Sequence, residues 1–131
     1  MPSSVYFVTF DCADPRALAG FWTTALSYPY EIDDSNESAG EILLIDRAGV
    51  GPSLGFMKVP ESKVVKNRVH LDLIPETSLE AEVARLVAAG ARTIRSLQDP
   101  DDGYVDPHIW TVMEDPEGNE FCVLEPMSRR A

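Results

Sequence analysis

Asp115-Pro116-Glu117-Gly118-Asn119-Glu120-Phe121-Cys122-Val123-Leu124-Glu125-Pro126 reads as a tight turn running into a strand. Asp115 opens the turn, Pro116 fixes its φ, and Gly118 and Asn119 tolerate the positive φ that closes it. The flanks, Ile109–Glu114 and Phe121–Glu125, are rich in β-branched and aromatic residues, so the stretch predicts a hairpin. A hairpin alone carries no chemistry. Its company decides the fold.

Upstream, Arg68-Val69-His70-Leu71-Asp72-Leu73 predicts a strand over Val69–Ile74, with His70 and Asp72 sharing a face. A helix follows. Thr77 and Glu80 read as its capping box, Leu79, Val83, Leu86 and Val87 as its buried stripe, and Gly90 as its C-cap. Ala91–Leu97 can form a short strand, and Gln98 to Pro107, rich in Asp, Pro and Gly, reads as a loop.

The first half repeats this plan. Val5–Asp11 alternates as a strand, with Val5, Phe7, Thr9 and Asp11 on one face. Asp14-Pro15 starts a helix whose stripe is Leu18, Phe21, Trp22, Ala25 and Leu26, which makes Trp22 a core residue. Tyr30 to Gly40 reads as an acidic loop, Glu41–Asp46 and Ser53–Val59 as strands, and Pro60 through Asn67 as a charged linker. Phe7 to His70 and Asp14 to Thr77 are each separated by about 63 positions, and Gly55 to Cys122 by about 67, the spacing of a duplicated unit. The fold class expected is α+β: two βαβββ modules, about residues 4–60 and 67–127, within one domain spanning 1–131. They would form a curved mixed sheet, a cup with helices on its convex face and a ligand pocket in its concavity.

The totals bound the function. A chain of 131 residues with 44% hydrophobic content can bury a continuous core without disulfides. Its formal net charge of −11 argues against nucleic acid and anionic membranes as partners, while leaving room for a small anion held by one local Arg or Lys. No apolar run is long enough for a membrane span, and the first residues look like a strand instead of a signal peptide. Cys12 and Cys122 lie in apolar strand contexts and fit a reducing cytoplasm. No glycine-rich phosphate loop, nucleophile elbow, C-x-x-C or helix-borne His pair occurs.

The order strand with His, helix, small strands, then Asp-Pro-x-Gly-Asn-x and a last strand resembles the vicinal oxygen chelate superfamily. That group embraces glyoxalases, extradiol dioxygenases, bleomycin- and fosfomycin-resistance proteins and other glyoxalase-like domains. The resemblance implies a homodimer, with modules in some cases exchanged between chains. It also implies a divalent metal held by His and Glu or Gln from the first and last strands of each module. Carried over residue by residue, those positions are Phe7, Gly55 (or Met57 after a register slip), His70 and Cys122, so only His70 matches. One imidazole and one thiol fall short of the three protein ligands of a catalytic zinc site and of the oxygen-rich set that magnesium or manganese prefers. The expectation is therefore no cofactor, with a divalent metal as the minor alternative.

Inward residues of the cup would be Phe7, Thr9, Asp11, His70 and Asp72, with Cys122 beside them. His70 is then the candidate acid or base and Asp72 its orienting partner, for metal-independent chemistry of lyase or isomerase type. Tyr104, His108 and Trp110 form a second cluster behind a loop at Asp99–Pro107 that would act as a lid; Tyr104 and Trp110 are candidate ligand walls and His108 an idle loop residue. The competing reading is sequestration of an apolar or aromatic compound, as in bleomycin-resistance proteins. A metal-dependent glyoxalase or dioxygenase ranks third.

Overall fold

Phe10, Phe21, Trp22 and Phe56 gather into one aromatic cluster in the first half of the chain, with successive ring centroids 5.3 Å apart. Trp22 is 1% exposed, a core residue as its stripe predicts. Around this cluster the computed structural model, which describes residues 1–99 and 108–125, folds β1 (Phe7–Cys12), α1 (Pro15–Ala25), β2 (Glu31–Asp33), a 3₁₀ turn (Glu37–Ala39), β3 (Glu41–Ile45) and β4 (Ser53–Lys58). The second half folds β5 (Asp72–Leu73), α2 (Leu79–Ala89), β6 (Arg92–Asp99), β7 (His108–Glu114) and β8 (Glu120–Leu124). The chain divides into two compact units between Ser62 and Lys63.

The two units share one topology. Module one orders its sheet β1-β4-β3-β2 and module two β5-β8-β7-β6; in each, the first strand runs parallel to the last and the helix packs on its own sheet. This is the βαβββ plan, twice. The registers also agree with the spacing of the repeat: Thr9 lies opposite Gly55 in module one, and Asp72 opposite Cys122 in module two.

Local signals explain most boundaries. Asp14 caps α1 by accepting from the Ala17 N–H at 3.1 Å, with Pro15 in the first turn. Gly90, at φ 121°, ends α2, a conformation that side chains with a Cβ rarely adopt.

Other expectations are corrected. Ser78, and not Thr77, caps α2, its hydroxyl accepting from the Ala81 N–H at 3.1 Å. The acidic stretch after Tyr30 contains the edge strand β2, paired with β3 through Ile32 and Leu44. Of the predicted stripe on α2, Leu86 is buried and Val87 lies at its exposed margin. The strand expected over Val69–Ile74 shrinks to Asp72–Leu73. Its ladder stops because Asn67 takes Glu120, donating from its backbone N–H to the carboxylate at 2.9 Å and from its side chain to the carbonyl at 3.4 Å. Conversely β6 runs further than predicted, to Asp99.

The turn before β8 is organised by Asp115, which is 2% exposed. Its carboxylate accepts from the N–H groups of Glu117 and Asn119 at 2.9 and 3.0 Å and from the Asn119 side chain at 2.9 Å. Gly118 takes φ 84°, as the turn requires. Each of these is a charge-assisted hydrogen bond in a buried setting, where a lost acceptor strands its donors.

Asp115→Ala lowers stability by about 3 kcal/mol, read as a lower denaturation midpoint at unchanged m-value. Ser78→Ala costs about 1 kcal/mol and Thr77→Ala a few tenths; the reverse ranking would return the cap to Thr77.

Candidate functional site

Residues 70–73 and 120–124 build the site between them. β5 and β8 run parallel, and the Cys122 N–H donates to the Leu71 carbonyl at 2.9 Å. Asp72 and Cys122 are therefore neighbours on one face of the sheet. His70 lies two residues before Asp72, and its Nε2 stands 3.2 Å from the Asp72 Oδ1, an ion pair when the ring is protonated. His70 Nε2 or Nδ1, an Asp72 oxygen and the Cys122 sulfur all lie within 4.8 Å of one another.

The two faces of the sheet in module two differ in kind. Phe121, Val123, Thr111 and Met113 are all buried and sit in register with one another, facing the core with Leu86. The other face is more open. Across it Asp72, Cys122, Val112 and Arg95 form one row over four strands, and Trp110 lies opposite Leu124 beside that row. Trp110, Val112 and Leu124 are half-buried, and the side chains of His70 and Asp72 are 47% and 51% exposed.

Electrostatics set the state of the thiol. Burial first, then the Asp72 charge and its hydrogen bond, push the Cys122 thiol above its ordinary value, against a smaller pull from Lys66 and Arg95. Cys122 is thus a protonated donor toward Asp72 near neutral pH and a poor nucleophile. Lys66 and Arg95 are the cations whose charge reaches this sulfur. Neither stands out in the sequence; only the β6–β7–β8 register brings Arg95 into the row. Glu120, on the same strand, is already engaged. Burial works against its charge, but hydrogen bonds from Asn67 and Lys63 hold its carboxylate below the usual range.

The other sequence-derived candidates scatter. Phe7, Thr9 and Asp11 lie on β1 of module one, where Phe7 packs edge-on against Tyr6 at 4.4 Å and Thr9 and Asp11 are exposed. Gly55 and Met57 are on β4, and a Cβ built at Gly55 would stand 2.9 Å from the Thr9 hydroxyl. Tyr104 and the loop at 100–107 lie outside the described residues, as does the His108 side chain; the His108 backbone begins β7 and is not loop.

One expectation is revised. Counting His70 and Cys122 leaves two donors, whereas the fold adds Asp72 as a third.

Residues 7–124 match the family model described as a glyoxalase-like domain. No curated protein matches the chain. Among solved structures, it is similar to a glyoxalase/bleomycin resistance protein/dioxygenase family enzyme from Burkholderia phytofirmans PsJN. The identity is 19%, the TM-score 0.69, and 93% of this chain and 98% of that one are covered. It is also similar to a mutant form of the fosfomycin resistance protein FosX of Listeria monocytogenes, complexed with Mn(II) and 1S,2S-dihydroxypropylphosphonic acid. Here identity is 13% and TM-score 0.70, over 99% and 97% of the two chains. A glyoxalase-related enzyme from Fulvimarina pelagi gives 18% identity and TM-score 0.65, over 94% and 88%.

A hard ion such as the manganese of the FosX complex does not fit the donors assembled here. One of the three is a thiol, and manganese prefers carboxylate, carbonyl and water oxygens.

The thiol's environment is directly testable. Mapped by peptide mass at mildly alkaline pH, iodoacetamide modifies Cys122 more slowly than an unstructured cysteine peptide, and Asp72→Asn speeds the reaction. Slower alkylation in Asp72→Asn would show that the carboxylate does not hold the proton on sulfur.

Proposed function

The chain belongs to the glyoxalase-like domain family, and we propose that it binds a small organic anion on the open sheet face of module two and acts on it there. The observation that carries this reading is the row Asp72–Cys122–Val112–Arg95, with His70 at one end and a guanidinium at the other. In a chain of net charge −11, cations facing a small ligand are a selective feature. Arg95 and Lys66 would receive the carboxylate, phosphonate or similar group. Val112, Leu124 and Trp110 would meet its apolar part.

The reacting end is the His70–Asp72–Cys122 cluster. Asp72 holds the imidazole by one nitrogen, which fixes the ring's orientation. The Cys122 thiol, kept protonated, offers a hydrogen bond instead of a nucleophile. Polar chemistry of lyase or isomerase type, a proton moved beside a carbonyl or a water eliminated, suits such a set. Thiol addition does not.

The assembly and setting follow the family resemblance. A homodimer is supported by apolar surface in and just after the linker, where Val64, Val65 and Val69 are 90%, 73% and 78% exposed. Two free cysteines favour a reducing cytoplasm.

The reading is tested with a panel of small carbonyl acids and phosphonates, followed by NMR for binding and turnover. His70→Ala should lower kcat/KM by about 10²–10⁴-fold while leaving the melting temperature unchanged, since the side chain is half exposed. Arg95→Ala should raise KM for anionic compounds and leave neutral ones alone. Unchanged turnover in His70→Ala would remove the catalytic role. Tight binding of a neutral aromatic without turnover, indifferent to Arg95→Ala, would select sequestration.

A further inference from the structure

We infer that Glu120 is a positioning residue: by holding the strap of residues 63–67 against β8, it sets the His70 imidazole beside Asp72. The inference rests on the His70–Asp72–Cys122 cluster being the working site, and it adds what aims that site. His70 lies outside any strand, since β5 begins only at Asp72. Its backbone is tied to β8 on either side instead. Before it, the Asn67 N–H donates to the Glu120 carboxylate at 2.9 Å, and the Asn67 side chain donates to the Glu120 carbonyl at 3.4 Å. After it, the Leu71 carbonyl accepts from the Cys122 N–H at 2.9 Å. Between these two anchors, Arg68, Val69 and His70 make no backbone hydrogen bond among the described residues. Three residues suspended this way take their course from the anchors. Releasing the one at Glu120 frees the ring to leave Asp72, from which its Nε2 now stands 3.2 Å.

The surroundings of Glu120 make this anchor firm. Lys63 on the strap donates to its carboxylate at 3.0 Å, and the two side chains are 23% and 18% exposed, against 59% and 58% for Arg16 and Asp34. A pair withdrawn from water in this way is screened less than one on the surface. Glu114 on β7 stands directly opposite Glu120, and like charges so placed repel. Each carboxylate has its own cation on the outer side, Arg92 for Glu114 at 2.6 Å and Lys63 for Glu120. The strap's ammonium thus offsets a charge that Glu114 would otherwise repel. This charged row lies two residues along the strands from Cys122 and Val112, on the same face. Module one builds no such anchor. Its residue at the matching ladder position, Ser53, accepts through its hydroxyl from the Asp46 N–H, within its own hairpin.

Two variants of the full chain test this, Glu120→Ala and Glu120→Gln. The second keeps an oxygen to accept from Asn67 and loses only the Lys63 ion pair. In Glu120→Ala, amide exchange at residues 67–71 should speed up by more than at Thr111 and Met113, buried residues of β7 that report opening of the whole fold. The His70 ring, identified by its loss in His70→Ala, should become less ordered in carbon-13 relaxation. With the carbonyl acid that the wild-type chain turns over fastest, kcat should fall about 10²-fold and KM stay unchanged. Glu120→Gln should recover most of each effect. Exchange that rises equally in the strap and in β7, a ring as ordered as in the wild type, or a Gln variant no better than Ala would overturn the inference. Lost turnover in His70→Ala with full turnover in Glu120→Ala overturns it too, and leaves the functional reading standing. A loosened strap and ring alongside unchanged turnover in His70→Ala sinks the functional reading alone.

Discussion

Two residue pairs of parallel ladder, Asp72 with Cys122 and Leu73 with Val123, hold the candidate site together. β5 is only two residues long, so little else on that strand fixes Asp72 and His70 opposite β8. The constraint is nonetheless firm, because β8 is the buried inner strand of its sheet. Phe121 and Val123 are at most 1% exposed, and a one-residue slip would turn them outward and send Cys122 into the core. Asp115 reinforces the register by fixing the turn that leads into β8, and Asn67 does so through Glu120, the first residue of the strand.

Duplication repeats the backbone of the candidate site without repeating its side chains. Both modules carry the same strand order and the same pairing of first with last strand. At the shared ladder position module one places Thr9 and Gly55, and a side chain at Gly55 would collide with the Thr9 hydroxyl. Among the described residues, the His, Cys and Asp side chains that converge within 4.8 Å of one another are in module two. The scaffold is conserved between halves by backbone geometry, while its function is a property of particular side chains.

Much of this was legible in the sequence because strong local signals coincide with tertiary structure. The Asp-Pro-Glu-Gly-Asn turn, the Asp14-Pro15 helix start, the Gly90 stop and the spacing between halves each have a short-range cause. What the sequence concealed depends on partners. β2 is an acidic edge strand with one apolar residue, and only pairing with β3 makes it a strand. Thr77 and Ser78 are both competent caps, and helix geometry chooses between them. His70, Asp72 and Cys122 were each identifiable as candidates, but period-two reasoning treats Asp72 as a companion of His70. Its place beside Cys122 comes from strand pairing, as does the entry of Arg95 into the row.

The central claim is that strand pairing within module two gathers an imidazole, a carboxylate and a thiol into one working centre. A crystal structure of the chain with a small carbonyl acid bound tests it most directly. The account predicts the acid on the open face of module two, its anionic group against Arg95 and its other end against His70, Asp72 and Cys122. An acid bound elsewhere, or a map in which these three side chains stand apart, would contradict it.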